Sequence, residues 1–332
     1  MNEINRLLNA INLKEVDRKP VVSVTQTGTC ELMKLSNSWW PDAHNDPLKM
    51  ASLAMAAYFV GGFENVRIPF GLHNEAAALG CKVNYYEGSC DRTPVVEALE
   101  NKNMLKNADP SSSITTRVII DAAHRIKERA PDVPLVVGVL APFSITGHIY
   151  GVAKLMKMLI KAPNEIYMTM DLASDFLIKY INEIEKVGAD VITLVEPTAT
   201  GENIGPVLFE KYALPYIEKI VKKCKLPCVL HICGNSTCIL SLMVRSGVKG
   251  ISIDHKVDIK TAKNIIAGKT SLIGNVNPVD ILIKKPKDIA DITLRVIEQG
   301  IDLVAPGCGL APRTPTVNIQ ALTKTVKNHF NK

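Results

Sequence analysis

The feature that most constrains the fold is a short pattern that recurs along the chain. Residues of helical character are followed by a glycine, a short spacer and an apolar run that ends in proline, glycine or a polar residue. A glycine just past a helix, followed by β-branched residues, is typical of the turn from a helix into a strand. The pattern therefore predicts helices that alternate with strands, and its clearest copies start at Gly62, Gly188, Gly247 and Gly300.

Eight strands are predicted once four further apolar runs are added to these copies. The added runs cover residues 21–26, 135–142, 228–234 and 271–276. Eight strands that alternate with helices over 332 residues favour an α/β protein of the (β/α)8 class, the TIM barrel. The helices between the strands are predicted at residues 46–60, 116–129, 164–187, 206–223, 237–246 and 286–299.

An open, doubly wound sheet is the alternative fold in which helices and strands also alternate along the chain. Such sheets carry a glycine-rich phosphate loop after the first strand, whereas here that strand is followed by Thr27-Gly28-Thr29-Cys30, which lacks the spacing. We therefore predict the barrel. An amphipathic helix precedes it at the N-terminus, and no linker or long repeat divides the chain, so residues 1–332 are expected to form a single domain.

Residues 80–113 interrupt the alternation between the second and third predicted strands. The segment is largely polar and contains Cys81, Cys90 and two tyrosines. We expect an excursion over the mouth of the barrel that includes a short hairpin. Long loops in compact domains often act as lids, but a plain surface insertion is an equal alternative.

The composition argues against nucleic acid and membranes as partners, and it indicates the cellular compartment. The net charge is +6 and the pI about 8.8, yet the lysines are scattered without interleaved aromatic residues, which is typical of solvated helix faces rather than a nucleic-acid surface. No apolar stretch approaches the length of a membrane span. The eight cysteines are dispersed and no secretory signal precedes them, so we expect free thiols and a cytoplasmic protein.

A candidate metal site arises from one histidine and two cysteines. His231 and Cys233 lie at the end of the fifth predicted strand, and Cys308 lies at the end of the eighth. Residues i and i+2 of a strand share a face, and barrel enzymes place their chemistry at the carboxyl ends of the strands. The three side chains are therefore expected to converge on one mouth. One imidazole and two thiolates suit zinc and leave its fourth position open, as catalytic zinc requires.

Two carboxylates are expected near the same mouth. Asp254 closes the sixth predicted strand and is either a fourth ligand that substrate thiolate displaces or a hydrogen-bond acceptor for the His231 ring. Ser252 shares a strand face with Asp254, whereas His255 is expected to point away from the mouth and to be structural. Glu196 closes the fourth predicted strand, where it either contacts substrate or serves as a cap or salt-bridge partner.

These motifs resemble a known family. The segments Leu230-His231-Ile232-Cys233-Gly234-Asn235 and Pro306-Gly307-Cys308-Gly309-Leu310-Ala311-Pro312 are the most specific, and the likeness extends over nearly the whole chain. The chain is similar to the methylcobamide:coenzyme M methyltransferases of methanogenic archaea, in the uroporphyrinogen decarboxylase superfamily. Residues 250–254 look closest to the methylamine-type members. The resemblance implies that His231, Cys233 and Cys308 bind zinc.

The resemblance also implies a reaction and its partners. The methyl group of a methyl-Co(III) corrinoid, carried by a corrinoid protein, would pass to the thiol of coenzyme M in methanogenesis. Arg67, at the end of the second predicted strand, is then the candidate to bind the sulfonate of coenzyme M, unless it only makes a salt bridge at the barrel end. The alternatives are a corrinoid-dependent methyltransferase with another thiol or a tetrahydropterin as acceptor, and a barrel in which zinc is only structural.

The founding decarboxylases of this superfamily are expected to differ in chemistry. They hold an acidic porphyrinogen with arginines of the first βα loop and need no metal. The corresponding residues 25–31 of this chain contain no arginine. Decarboxylation is therefore disfavoured, because kinship of fold alone does not fix function.

Overall fold

Seven parallel strands lie side by side in the order in which they occur along the chain. The structure is a computed structural model, and residues 1–330 are described. Its strands are β1 (Val66–Ile68), β2 (Lys82–Asn84), β3 (Val95–Glu97), β4 (Leu135–Leu140), β5 (Val191–Val195), β6 (Cys228–Ile232), β7 (Gly250–Ile253), β8 (Ser271–Val276) and β9 (Leu303–Pro306). The curved sheet has the order β1–β4–β5–β6–β7–β8–β9, and β2 pairs with β3 apart from it.

Helices separate consecutive strands of the sheet, and the six predicted ones all form within one or two residues of their expected ends. None of the described helices is long and apolar enough to cross a membrane. Short 3-10 turns cover Lys102–Met104 and Thr237–Ile239, and a π-helical turn covers Phe209–Ala213. The α-helices are α1 (Glu3–Ile11), α2 (Cys30–Ser36), α3 (Asp42–Asn45), α4 (Pro47–Phe59), α5 (Asn74–Ala78), α6 (Ile114–Arg129), α7 (Pro142–Tyr150), α8 (Val152–Lys161), α9 (Pro163–Lys186), α10 (Gly205–Leu208), α11 (Leu214–Lys223), α12 (Leu240–Arg245), α13 (Ile259–Ile266), α14 (Pro278–Ile283), α15 (Pro286–Glu298) and α16 (Thr316–His329).

The first predicted strand closes the barrel without forming a regular strand. Val21 makes an isolated parallel bridge with Val304 of β9. On its other side, side chains take the place of a ladder: the Glu64 carboxylate accepts the Val21 N–H at 2.8 Å, and Asn65 Oδ1 accepts the Ser23 N–H at 2.9 Å. The backbone groups are thus satisfied without a ladder, which is why seven regular strands replace the eight expected.

Apolar side chains fill the end of the barrel opposite the mouth. Leu7 and Ile11 of α1 pack against them, so the N-terminal helix covers that end. Arg6 of the same helix is held by Asp17 and Glu64, at 2.7 and 2.8 Å. The layer that α1 covers consists of Val22, Val24, Val136, Val191, Val229, Ile273, Leu303 and Ala305.

The barrel interior becomes polar one step nearer the mouth. Because alternate residues of a strand share a face, the residue two positions beyond each member of the apolar layer also points inward. On β4, β5, β6 and β8 these residues are Gly138, Thr193, His231 and Asn275. The alternation of side chains along each strand therefore accounts for both the apolar layer that α1 covers and the polar residues nearer the mouth.

Residues 80–113 form the predicted hairpin. They also contain one cysteine of a disulfide, which was not predicted from the sequence. β2 and β3 are antiparallel, with Val83 opposite Val96. Cys90, which lies between them, forms a disulfide with Cys30, their Cα atoms being 5.5 Å apart. The expectation that every cysteine is a free thiol is therefore wrong for this pair. Their 60-residue separation hid the contact, which exists only because the insertion folds back onto the first βα loop.

Removing this disulfide should lower the stability of the oxidised protein. Cys90→Ser is expected to reduce the free energy of unfolding by about 2–4 kcal/mol, because the cross-link restricts the unfolded chain. Urea denaturation without reductant measures the change. Cys238→Ser, at an exposed free thiol, is the control. A reductant should bring the parent protein to the level of the variant; equal stabilities before reduction would contradict the prediction.

Candidate metal centre and substrate cavity

The structure brings the histidine and the two cysteines of the candidate site together. His231 belongs to β6, Cys233 follows it directly, and Cys308 lies in the loop after β9. Cys233 Sγ is 3.3 Å from His231 Nε2 and 3.4 Å from Cys308 Sγ. One donor atom from each residue lies within 4.8 Å of the others, and no other such group of three occurs among residues 1–330. This confirms that the three side chains converge.

Ser252 fixes the orientation of the histidine ring. It lies on β7 opposite His231 in the strand register, and its Oγ is 3.0 Å from His231 Nδ1. The contact directs Nε2 towards the two thiols, the arrangement in which a second partner orients a ligating histidine. Sequence reasoning offered Asp254 for this role as one of two alternatives, and it placed Ser252 on the same strand face without assigning it the contact, since the relative register of two strands is set only in the folded sheet.

The two thiols are held in different states of protonation. A hydrogen bond from Cys233, together with the nearby His231, lowers the pKa of the Cys308 thiol to about 4. The same hydrogen bond and burial raise the pKa of Cys233 above its usual value. The pair therefore favours a single shared proton and one thiolate, which is the form of cysteine that binds a metal.

Asp254 lies beside the cluster without being one of its grouped donors. Its Oδ2 accepts the Gly234 N–H at 3.1 Å, and its Oδ1 accepts the Lys256 N–H at 3.0 Å. His255 Nδ1 is 2.8 Å from the same carboxylate. The carboxylate thus holds the loops after β6 and β7 together.

A cavity of about 300 Å³ opens beside the metal-ligand candidates. His231, Cys233 and Cys308 form part of its wall, and Thr93 and Pro94 of the insertion contribute another part. Phe70, Leu72 and Val195 make much of the remaining surface apolar. The insertion therefore reaches over the mouth as expected. A cavity of this size, with few polar groups, suits a small ligand.

Arg67 is a buried cation in the wall of this cavity. Its side chain is 2% exposed, and burial lowers its pKa to about 10. Nη1 donates to the Pro69 carbonyl, while Nε has no hydrogen-bond partner. Glu75 and Cys308 interact with it electrostatically. A guanidinium with an unused donor beside a cavity can bind an anionic group of a ligand.

Glu196 lies outside the residues that line the cavity. It is fully buried, and burial raises the pKa of its carboxyl group to about 8. The Ser144 hydroxyl donates to it, as does the Ser144 N–H at 3.3 Å. Since Ser144 is in the first turn of α7, Glu196 caps that helix, which corresponds to the structural alternative considered for it.

Three further residues at the site were missed by sequence reasoning. His148 of α7 and Gln26 of the first βα loop line the cavity, and Glu75 of α5 is buried near Arg67. Burial raises the pKa of Glu75 to about 7. Gln26 is the last residue of the first predicted strand, and this position was a weak signal; His148 sits within a helix and carried none.

Comparison with known proteins places the chain in a family. The profile of the uroporphyrinogen decarboxylase family matches residues 2–329. The chain therefore belongs to the uroporphyrinogen decarboxylase family. Methylcobamide:CoM methyltransferase MtbA of Methanosarcina acetivorans is 39% identical over 98% of this chain and 97% of its own. MtaA of Methanosarcina barkeri, another methylcobamide:CoM methyltransferase, is 36% identical over the same shares. These matches confirm the resemblance seen in the sequence.

Solved structures agree with this placement. A structure described as a methyltransferase from Methanosarcina mazei matches with a TM-score of 0.93 and 34% identity, covering 99% of each chain. A B12-independent methionine synthase from a Shewanella species matches with a TM-score of 0.64 and 12% identity, over 95% of this chain and 99% of its own. The second likeness concerns the fold alone.

Gly138 is expected to be required for the placement of Arg67. A Cβ at this position would collide with the Arg67 guanidinium, so Gly138→Ala must displace a buried cation. We expect a loss of about 1–3 kcal/mol in the free energy of unfolding, as for other overpacked cores. Urea denaturation measures it. Gly147→Ala is the control, because a Cβ there meets nothing closer than 3.4 Å. Equal effects at both positions would contradict this account.

Proposed function

We propose that this protein transfers a methyl group from a methylated corrinoid to the thiol of coenzyme M, with zinc at its metal centre. The observation that carries the proposal is the opening of the His231, Cys233 and Cys308 cluster onto the cavity that contains Arg67. Relatives that span nearly the whole chain at 35–39% identity are named methylcobamide:CoM methyltransferases, which supports both substrates and the transferase class.

The donor set fits a zinc ion. One imidazole nitrogen and two sulfurs lie close enough together to bind one ion, and these are donors that zinc prefers. When bound, zinc supplies a position at which a substrate thiol loses its proton near neutral pH. Asp254 is proposed as a fourth ligand only in the substrate-free enzyme, and to reach that role its carboxylate must leave the Gly234 N–H.

The cavity wall contains a group that can bind each end of coenzyme M. This small molecule has a thiol and a sulfonate separated by two methylene groups. We place the thiol at the cluster and the sulfonate at Arg67, whose Nε is free to donate. The cavity of about 300 Å³ suits a molecule of this size. Holding the sulfur in one position contributes more to the rate than acid–base chemistry at the methyl carbon, because the transfer itself moves no proton.

The methyl donor approaches through the barrel mouth. A corrinoid protein is the proposed partner, since a complete corrinoid with its side chains is too large for the cavity of about 300 Å³ and has to be presented at the mouth. The thiolate sulfur attacks the methyl carbon; a sulfur–carbon bond forms as the cobalt–carbon bond breaks, and its electron pair remains on Co(I). Apolar wall residues such as Phe70 and Leu72 limit the access of water to the sulfur. Neither nucleic acid nor a membrane takes part in this proposal.

We propose the cytoplasm as the site of this reaction, as part of methanogenesis. A reducing cytoplasm favours thiols at Cys30 and Cys90, so the cross-link between them would form only under oxidising conditions. The metal-ligand candidates are separate residues, and the proposed reaction does not use the Cys30–Cys90 pair.

Metal analysis tests the proposed zinc site. The purified protein should contain about one zinc per chain, and Cys308→Ala should weaken zinc affinity by more than about 100-fold, since even outer partners of zinc ligands contribute 10–100-fold. Elemental analysis and competition with a chelator measure both quantities. Cys238→Ala removes an exposed thiol outside the cluster and should change neither. Unchanged affinity in Cys308→Ala would remove that residue from the site.

The activity is tested with free methylcobalamin as the donor. Coenzyme M should be methylated faster than homocysteine, and a tetrahydropterin should not serve as acceptor.

Arg67→Gln should raise the KM for coenzyme M roughly 30-fold, or about 2 kcal/mol, because a buried charge loses its partner. The KM for 2-mercaptoethanol, which lacks a sulfonate, should not change.

Arg295→Gln is the matched control, since Arg295 is an exposed residue of α15. An equal rise of KM for both thiols in Arg67→Gln would contradict the proposed sulfonate contact. Transfer to homocysteine or a tetrahydropterin in preference to coenzyme M would replace coenzyme M by that acceptor in the proposal.

A further inference from the structure

A thiol that reacts as a thiolate must first lose a proton, and the cavity contains one base that is free to take it. We propose that His148 accepts the proton of the substrate thiol. The inference rests on the proposed function, because it concerns the same cavity and the same thiol. The S–H bond breaks with its electron pair left on sulfur, and an N–H bond forms on the imidazole.

The other titratable side chains that line the cavity are already engaged. His231 contacts Ser252 through Nδ1 and Cys233 through Nε2. The two thiols are the metal-ligand candidates, and Arg67 is a cation with no lone pair to offer. His148 is therefore the cavity residue whose imidazole remains available as a base.

The position of His148 suits this role. It lies in the last turn of α7 and lines the cavity together with Cys233 and Cys308. Burial lowers its pKa below the ordinary value for histidine, so its imidazole is neutral at pH 7 and can accept a proton. An acceptor that shares the cavity with the thiol removes the need for bulk water to enter.

Two further imidazoles are buried close to the cavity wall. His73 lies against Gly71, which lines the cavity, and its ring centre is 5.5 Å from that of His44. Both rings are at most 2% exposed, and none of their four nitrogens has a hydrogen-bond partner in the protein. Buried polar atoms without partners are rare, and ordered water commonly bridges them. We assign neither ring a step in the proton transfer.

The cavity and the elements packed against α7 carry further charged and titratable groups. Arg67 and the metal-ligand candidates share the cavity with His148. Besides His73, the elements that pack against α7 contribute Glu75 on α5, Glu97 on β3, Lys154 on α8, Glu165 on α9 and Lys211 in the π-helical turn. The pH dependence of the reaction therefore has to be compared between variants and not read from one profile.

The experiment compares wild type and His148→Gln in methyl transfer from methylcobalamin to coenzyme M across pH. At pH 7 the variant should be slower by about 100-fold, the lower range for general base catalysis. The deficit should shrink as the pH rises, because the thiol then ionises without help from a base. In wild type the rate should fall at acid pH, once His148 becomes protonated. A purely structural role would give a deficit that does not depend on pH.

Three controls make the result decisive. His124→Gln, at an exposed histidine of α6, should keep the wild-type profile. The zinc content of His148→Gln should equal that of wild type. His148→Ala supplied with free imidazole should recover activity at pH 7, and this arm remains informative if the glutamine variant does not fold.

The outcomes separate this inference from the proposed function. Full activity of His148→Gln, a pH-independent deficit, or failure of imidazole to rescue His148→Ala would overturn the role of His148 while leaving the methyl transfer intact. A wild-type protein that does not demethylate methylcobalamin in the presence of coenzyme M would overturn the proposed function itself.

Discussion

The closure of the barrel depends on one buried carboxylate. Glu64 is 1% exposed and accepts hydrogen bonds from Arg6, Arg18 and the backbone of Val21. These contacts hold the first segment between β9 and β1 where a regular strand would otherwise be needed. Cys308 follows β9 and Arg67 belongs to β1, so the same closure brings these two side chains to one cavity. A buried ion network of this kind orders the fold because an unpaired charge there would be costly.

The charges at the mouth are consistent with the proposed chemistry. In the proposed function, a divalent zinc ion with two thiolate ligands would carry no net charge, so a substrate thiolate and its sulfonate would add two negative charges to the cavity. Arg67 supplies a positive charge at the wall, and its burial makes that charge effective because little water screens it. Burial also keeps His148 neutral, which is the state that accepts a proton. The exclusion of water therefore acts on both residues: it leaves the charge of Arg67 unscreened and keeps the His148 imidazole neutral.

Much of the fold and the central part of the site could be predicted from the sequence. The alternation of helices and strands gave the barrel because its signals are local: a glycine ends a helix, and a β-branched run begins a strand. The spacing of His231 and Cys233 placed them on one face, and the position of Cys308 after the last strand placed it at the same mouth. The first segment was the exception: it makes one bridge to β9, and on its other side the side chains of Glu64 and Asn65 bind its backbone in place of a ladder.

The sequence by itself determined which elements form and which residues lie at strand ends, because both follow from neighbours along the chain. Only the tertiary structure decided which distant residues meet. Ser252 reaches His231 through the register of two strands, and Cys30 meets Cys90 because the insertion folds back. His148 reaches the cavity only because α7 packs beside it. Contacts of this kind depend on packing among several elements, and no local pattern of residue types encodes them.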